Sequence, residues 1–195
     1  MIPTNKLFKG EYEGLTAIIC GSAPCLLADY KKVTESISDY LTIGINEAVK
    51  VISCNKLITA HPELIKDFKD GSINSNIETH SSKAYYPDWF DKADYFWSDI
   101  KGGATSGIDA VQVAIRMGFS KIILVGCPMD GGDGYFHSKK APENVVGCPR
   151  FGNKGNEHLV SKHQAKLAEI VKDGDFSSVS SMSGYTAKIF GQTQF

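Results

Sequence analysis

Three short segments of the chain combine glycine with hydroxyl or amide side chains. They are Gly21-Ser22-Ala23-Pro24, Gly44-Ile45-Asn46 and the sequence GGATSG at 102–107. Glycine lets backbone N–H groups approach a ligand closely, and the helix predicted after GGATSG adds partial positive charge at its N-terminus. A tight turn explains any one of these segments alone. Three of them at one edge of a sheet would instead favour a phosphate or nucleotide site.

Histidines supply the candidate proton acceptors. A hydroxyl that attacks a carbon atom must lose its proton, and an imidazole that titrates near neutral pH is suited to accept it. His158 opens a predicted helix and is the preferred candidate, with a local hydrogen bond at the helix start as the alternative. His61 ends a predicted strand and could line the same cleft. His163 is predicted to pack towards the core, and His80 to be solvated in a polar loop.

Metal-ligand patterns are weak in this chain. Four potential zinc ligands recur at similar intervals, namely Cys127, His137, Cys148 and His158. Their gaps match no short-spaced zinc knuckle, so no metal site is predicted. Asp130 and Asp133 are the only evident carboxylate pair for Mg²⁺, and as turn residues they need no function. The sequence also contains neither G-x-G-x-x-G nor a P-loop, which disfavours a dinucleotide site and a Walker-type ATP site.

Short apolar runs between turn residues predict the strands that carry the glycine segments. The sequences LTAIIC at 15–20, YLTIGIN at 40–46 and KLITA at 56–60 have the pattern of buried strands in a parallel sheet. Two shorter aromatic runs, at 82–86 and 94–97, are further strand candidates.

The clearest unit runs from the third glycine segment into a helix and then a strand. Apolar residues recur at helical spacing from Ser106 to Met117, Gly118 follows as a C-cap, and KIILVG at 121–126 is a strand. Ser106 with Asp109 fits the capping-box pattern, which predicts that Ser106 caps the helix.

The last third of the chain begins with residues 130–156, which are glycine-rich and predict a lid-like insertion. A helix is predicted over 158–172, and a short strand, a turn and a last helical turn over 177–191. Strands that alternate with helices predict a single α/β domain over residues 1–195, with a Rossmann-like, mostly parallel sheet flanked by helices. In such a sheet ligands bind outside the carboxyl ends of the strands.

Composition narrows the classes of function. The 195 residues carry a net charge of −1 and no long basic run, which argues against a dedicated nucleic-acid binder. The longest apolar runs are far too short for a transmembrane segment, and the N-terminus lacks a secretory signal pattern, so we expect a cytoplasmic protein. The five cysteines are odd in number and are expected to be reduced.

Four stretches together resemble a known enzyme group. They are IICGSAPCLLADY, IGINEA, GATSGIDAVQVAIRMGFSKIILVGCPMD and NEHLVSKHQAKLAEI. In order and spacing they resemble the small bacterial sialyltransferases that use CMP-sialic acid. The same core is shared with motility-associated flagellin glycosyltransferases and, more distantly, with an archaeal-type 6-hydroxymethylpterin diphosphokinase. The resemblance covers most of residues 15–190.

The resemblance implies a nucleotide site. The family segment Gly-Asn-Gly-Pro-Ser-Leu corresponds to residues 21–26, where Ser22 and Ala23 replace the family's asparagine and second glycine. An asparagine that helps to hold the nucleotide corresponds to Asn46. The Thr-Ser-Gly that contacts the nucleotide sugar and base corresponds to residues 105–107. The nucleotide-binding residues so implied are Gly21, Ser22, Ala23, Pro24, Asn46, Thr105, Ser106 and Gly107.

The resemblance also implies a mobile lid and a general base. Family members steady the departing phosphate with lid tyrosines, and a histidine after the lid takes the acceptor's proton. The lid corresponds to 130–156 and the histidine to His158. Tyr135 is the one tyrosine in this lid. The other lid residues that could contact phosphate are His137, Lys139, Lys140 and Arg150.

The sequence therefore predicts a metal-independent glycosyltransferase that moves a sialic-acid-like sugar from a CMP-linked donor to an acceptor hydroxyl. One alternative is an ATP-dependent pterin-type diphosphokinase, which would need Mg²⁺. Another is a non-catalytic nucleotide-binding protein, in keeping with the scarcity of lid tyrosines. The expected partners are the nucleotide or nucleotide sugar and an acceptor of unknown identity, and the oligomeric state stays open, a homo-oligomer included.

Overall fold

The computed structural model describes residues 8, 10–82, 93–100, 105–130 and 157–195. In this part of the chain the strands are β1 Thr16–Cys20, β2 Tyr40–Ile45, β3 Lys56–Thr59, β4 Glu78–Ser81, β5 Tyr95–Phe96, β6 Lys121–Val125 and β7 Val179–Ser181. The helices are α1 Leu26–Thr34, α2 Ile65–Asp70, α3 Ser106–Met117, α4 Glu157–Lys172 and α5 Gly184–Phe190. Two 3₁₀ helices, Asn46–Lys50 and Pro62–Leu64, follow β2 and β3.

The strands form one parallel sheet in the order β5-β4-β3-β2-β1-β6-β7. The chain builds outward from β1 to β5 on one side and then crosses to the other side of β1 for β6 and β7. This arrangement confirms the predicted α/β class, a Rossmann-like parallel sheet flanked by helices. It also places the reversal of the strand order between β1 and β6.

The central strands are buried on both faces, as their unbroken apolar sequences predict. In β1, Ile18 and Ile19 point to opposite faces, and both are fully buried. Ile19 belongs to a core that includes Val111 and Met117 of α3, whereas Ile18 belongs to a second core that includes Leu26 of α1. The two cores fix α3 and α1 on opposite faces of the sheet.

Helix α3 has the predicted extent, but its cap differs by one residue. Thr105 is the N-cap, with extended backbone and with its Oγ1 accepting a hydrogen bond from the Ile108 N–H at 3.4 Å. The prediction that Ser106 caps the helix is wrong, because Ser106 already lies in the first turn and its hydroxyl contacts another element. Gly118 ends the helix at φ +90°, the left-handed conformation expected of a glycine C-cap.

Strand β4 was missed by the apolar-pattern argument, which put a strand at 82–86. The strand lies at Glu78–Ser81, and residues 83–86 are outside the described part of the chain. Its sequence is polar, yet Thr79, His80 and Ser81 are all buried. The prediction that His80 is solvated is therefore wrong.

No helix in the described segments is long and apolar enough to cross a membrane.

The other predicted helices and strands agree with the structure, including the 158–172 helix and the short strand and helix near the C-terminus.

Candidate functional site

The carboxyl ends of β1 and β6 meet at the point where the strand order reverses. Cys20 and Val125 end these strands in register, and the Gly21 N–H donates to the Val125 carbonyl at 2.8 Å. In parallel α/β sheets, ligands bind beside such a reversal, outside the carboxyl ends. The first two glycine segments follow β1 and β2 at this edge, and the described residues of the third, Thr105–Gly107, form the start of α3.

The first glycine segment is packed tightly against the loop after β6. A Cβ at Gly21 would lie 2.3 Å from Cys127 Sγ and 2.4 Å from the Gly126 carbonyl oxygen, so no side chain fits there. Gly126 has φ +62°, and its carbonyl accepts from the Ala23 N–H at 3.0 Å. The Gly21 and Ala23 N–H groups are thus bonded within the protein, while Ser22 is half-buried and Pro24 is exposed.

Asn46 follows β2 in the left-handed conformation, at φ +51°. Asparagine tolerates this conformation better than most residues. Its Oδ1 accepts a hydrogen bond from Thr59 Oγ1 at 2.7 Å, and the same Thr59 oxygen accepts from the His61 N–H at 2.9 Å. The loops after β2 and β3 are therefore joined through one hydroxyl.

The start of α3 lies over the same edge. Ser106 Oγ accepts a hydrogen bond from the Ala60 N–H at 3.2 Å, just after β3. A Cβ built on Gly107 would lie 3.5 Å from Ile45 Cδ1 and 3.9 Å from Cys127 Sγ, which is ordinary van der Waals distance. The Thr105–Gly107 segment thus contacts the ends of β2 and β3 and approaches the loop after β6. The described residues of the three glycine segments therefore lie at the same edge of the sheet, and residues 102–104 of the third segment are outside the described part of the chain.

Asp109 is buried one turn into α3, and its Oδ2 accepts a hydrogen bond from Ser82 Oγ at 2.5 Å. A carboxylate in the first turn stabilises the helix through the helix dipole. The same negative charge offsets part of the partial positive charge at the start of α3, which an anionic ligand would use.

An imidazole–carboxylate pair lies at the end of β3, and the sequence argument identified only half of it. His61 Nδ1 is 3.2 Å from Glu63 Oε1, with the His61 side chain 15% and the Glu63 side chain 40% exposed. In the sequence, the pair was indicated by the position of Glu63 two residues after His61, on the other side of Pro62. The His61 backbone is one hydrogen bond from Thr59 and, through the Thr59 hydroxyl, two from Asn46.

The thiols at this edge are poor nucleophiles. Burial raises the pKa of Cys127 to about 12, and burial together with the neighbouring Asp29 raises the pKa of Cys25 to about 11. A thiol attacks as its thiolate, so neither residue is suited to nucleophilic catalysis near neutral pH. The described cysteines, Cys20, Cys25, Cys54 and Cys127, are free thiols.

Several predicted site residues lie outside the described part of the chain. Tyr135, His137, Lys139, Lys140 and Arg150, together with Asp133 and Cys148, lie outside the described residues, as does the predicted lid except for Asp130. His158 lies in the first turn of α4, and the structure describes only the backbone at this position. Further along α4, Gln164 Nε2 donates to the Met129 carbonyl at 2.7 Å, which ties this helix to the segment after β6. Within the described residues no cluster of histidine, cysteine, aspartate or glutamate is suited to a metal ion.

A second polar cluster begins at the amino ends of β3 and β4. Lys56 and Glu78 begin neighbouring strands and form an ion pair, and His80 Nε2 lies 2.6 Å from Glu78 Oε1. Trp97 Nε1 donates to His80 Nδ1 at 3.1 Å. Because an indole N–H only donates, the neutral ring carries its proton on Nε2, which donates to Glu78.

The pKa values in this cluster fit a structural role. Burial alone would raise the pKa of Glu78, but hydrogen bonds from His80 and Lys56 outweigh it and lower the pKa to about 2. Burial lowers the pKa of His80, against the opposing effect of Glu78. Phe8 and Tyr12 pack over the cluster and belong to the same core as Val111 and Met117 of α3. The cluster joins the N-terminal segment to the sheet.

Comparison with known proteins identifies the fold. No protein-family model matches the chain, and no curated protein matches it. Its structure is similar to that of the MAf glycosyltransferase from Magnetospirillum magneticum AMB-1, with a TM-score of 0.56 at 13% sequence identity. The match covers 88% of this chain and 32% of that chain. This chain therefore has a fold that also occurs within a larger glycosyltransferase.

Proposed function

We propose that the protein binds a nucleotide sugar at the carboxyl edge of its sheet and transfers the sugar to an acceptor hydroxyl. The observation that carries this proposal is the convergence of Asn46, the Thr105–Gly107 segment and the Gly21 loop beside the strand reversal. These residues come from three separate loops at the edge where ligands bind in sheets of this kind. The similarity in fold to a MAf glycosyltransferase supports the same class of reaction.

The donor in this proposal is a CMP-linked, sialic-acid-like sugar, and no metal ion takes part. The nucleoside lies against Asn46 and the start of α3, and the 21–24 loop forms the opposite wall. Side chains of 130–156 close over the donor and exclude water, with Tyr135, His137, Lys139 and Arg150 as phosphate ligands.

The proposed base is His158. The acceptor oxygen attacks the anomeric carbon while the bond from that carbon to the phosphate oxygen breaks. The acceptor's proton passes to the imidazole, and the bonding electrons leave with CMP. The Gln164–Met129 hydrogen bond supports this assignment, because it ties α4 to the loop that follows β6.

A thermal-shift panel of CMP, CDP, UDP, GDP and ATP, each with and without Mg²⁺, tests the proposal. We expect CMP to raise the melting temperature without metal, because a ligand that binds only the folded state stabilises it. If none of the nucleotides changes the melting temperature, nucleotide binding is contradicted. A shift with ATP that appears only with Mg²⁺ would favour the diphosphokinase alternative instead.

A further inference from the structure

We propose that Thr59 positions Asn46 so that the Nδ2 group of the asparagine amide donates a hydrogen bond to an oxygen atom of the nucleotide. The inference rests on the proposed function, and it adds a residue that acts on the ligand through another side chain. Thr59 is the last residue of β3, and Asn46 directly follows the neighbouring strand β2. Both residues therefore lie at the carboxyl edge of the sheet.

The hydroxyl of Thr59 is buried, and it both accepts and donates a hydrogen bond. Its oxygen accepts from the His61 N–H at 2.9 Å, and its proton is donated to Asn46 Oδ1 at 2.7 Å. Because a backbone N–H only donates, the hydroxyl proton needs a different partner, and Asn46 Oδ1 is that acceptor. An amide turned by about 180° would place Nδ2 against Thr59 and leave this buried proton without an acceptor, which costs free energy.

The bond from Thr59 determines which group of the Asn46 amide is left for a ligand. With Oδ1 held by Thr59, the remaining polar group is Nδ2, which carries two donors and no acceptor. Asn46 is only half-buried, and Nδ2 donates to no group in the described part of the chain. Aspartate tolerates the same left-handed backbone and would accept the Thr59 proton equally well, so the distinctive contribution of the amide is its donors.

A group that only donates suits the oxygen atoms of a nucleotide. Phosphate oxygens and the carbonyl oxygen of a pyrimidine base are acceptors without protons, and ribose hydroxyls can accept as well as donate. An amide oxygen in the place of Nδ2 would repel the phosphate and base oxygens. Because Thr59 holds the amide in one orientation before the ligand arrives, binding does not have to order this side chain.

The test measures CMP affinity by titration calorimetry on single and double variants. Thr59→Val removes the hydroxyl and keeps the branched shape, whereas Thr59→Ser keeps the hydroxyl. Asn46→Gly removes the amide without straining the left-handed backbone. Thr42→Val is the matched control, because Thr42 is a buried threonine of β2 whose hydroxyl is bonded to Tyr30 at 3.3 Å. Melting temperatures measured without ligand show that each variant folds.

We expect Asn46→Gly to weaken CMP binding by about tenfold, and Thr59→Val to weaken it by about fivefold because the amide is then free to turn over. Thr59→Ser should stay within about twofold of the wild-type affinity, and Thr42→Val should leave the affinity unchanged. Since Thr59 acts through Asn46, Thr59→Val should have no further effect in the Asn46→Gly background. A merely structural role of Thr59 would instead multiply the two losses.

The amide can also be followed in the wild-type protein, which covers the case that Thr59→Val fails to fold. The two Nδ2 protons of Asn46 give a pair of signals in a ¹H–¹⁵N spectrum, and they are assigned as the pair that is absent from Asn46→Gly. We expect this pair to shift as CMP is added, because one of its protons enters a new hydrogen bond.

Three results would overturn the inference while the proposed function stands. They are wild-type CMP affinity of Thr59→Val, an equal loss from Thr59→Val in the wild-type and Asn46→Gly backgrounds, and Nδ2 signals of Asn46 that stay unchanged at CMP saturation. A wild-type protein that does not bind CMP would overturn the proposed function as well.

Discussion

At the scale of single residues, the glycines of the candidate site differ in what a side chain would meet. Gly21 is enclosed by the backbone and thiol of the loop after β6, so packing excludes any larger residue at this position. Gly107 has room for a methyl group and lies in a helix, where alanine is the more favourable residue. Folding therefore does not explain the glycine at 107, whereas the close approach of the proposed nucleotide would.

This contrast predicts opposite results for two matched substitutions. Gly107→Ala should leave stability unchanged or raise it by up to about 1 kcal/mol, and should weaken CMP binding by about tenfold or more. Gly21→Ala should destabilise the fold by about 2 kcal/mol, because its Cβ overlaps a backbone carbonyl. Urea unfolding and CMP titration measure the two effects. A Gly107→Ala variant that binds CMP normally would remove this segment from the site.

The proposed base gives a second residue-scale prediction. His158→Ala should lower hydrolysis of CMP-sialic acid by about 100-fold or more and leave CMP binding within about twofold. His163→Ala, on the same helix, is the control and should keep its turnover. Hydrolysis is followed by the release of CMP. Unchanged turnover in His158→Ala would exclude this residue from the mechanism.

At the scale of elements, the polar cluster at the amino ends of β3 and β4 makes stability depend on pH. His80 is faced by Glu78, Lys56, Asp94 and Trp97. Its pKa is lowered from an ordinary value of 6.5, and that of Glu78 is lowered from 4.5 to about 2. For both groups the unfolded chain binds protons at higher pH than the folded one, so acid destabilises the fold.

We therefore expect the urea midpoint to fall as the pH drops below about 6.5, and to fall further between pH 4.5 and 2 as Glu78 loses its charge. Glu78→Gln should lower stability at pH 7, because Lys56 keeps a buried charge without its partner. The same variant should lose much of the pH dependence below 4.5. A midpoint that is constant from pH 7.5 to 3 would contradict the role assigned to this cluster.

The same elements show what the sequence could and could not predict. β1, β2, β3 and β6 were predictable because strands buried on both faces leave unbroken apolar runs. β4 was not, because its buried polar side chains are satisfied by partners distant in the chain: Thr79 by Asp94, His80 by Trp97. The local pattern of apolar and polar residues does not indicate such contacts. The one-residue error at the start of α3 has a similar origin, since the Ser106 hydroxyl is bonded to Ala60.

At the scale of the whole molecule, two polar regions of the sheet have different roles. The amino ends of β3 and β4 hold the Lys56–Glu78–His80 cluster under the N-terminal aromatic residues, and its groups are paired for stability. The carboxyl end gathers loops from β1, β2, β3 and β6 and the start of α3. The gathering of the loops was predictable from the general geometry of parallel sheets. The His61–Glu63 pair was recognisable only once the loop after β3 had a structure.

The location of the nucleotide site is the central claim, and chemical-shift mapping tests it most directly. In ¹H–¹⁵N spectra recorded during a CMP titration, we expect the largest shifts at the amides of Asn46, His61 and Gly107. The amides of Thr16 and Lys121, which begin β1 and β6 at the amino ends of these strands, should not move. Shifts centred on Thr16 and Lys121, with Gly107 unaffected, would contradict the account.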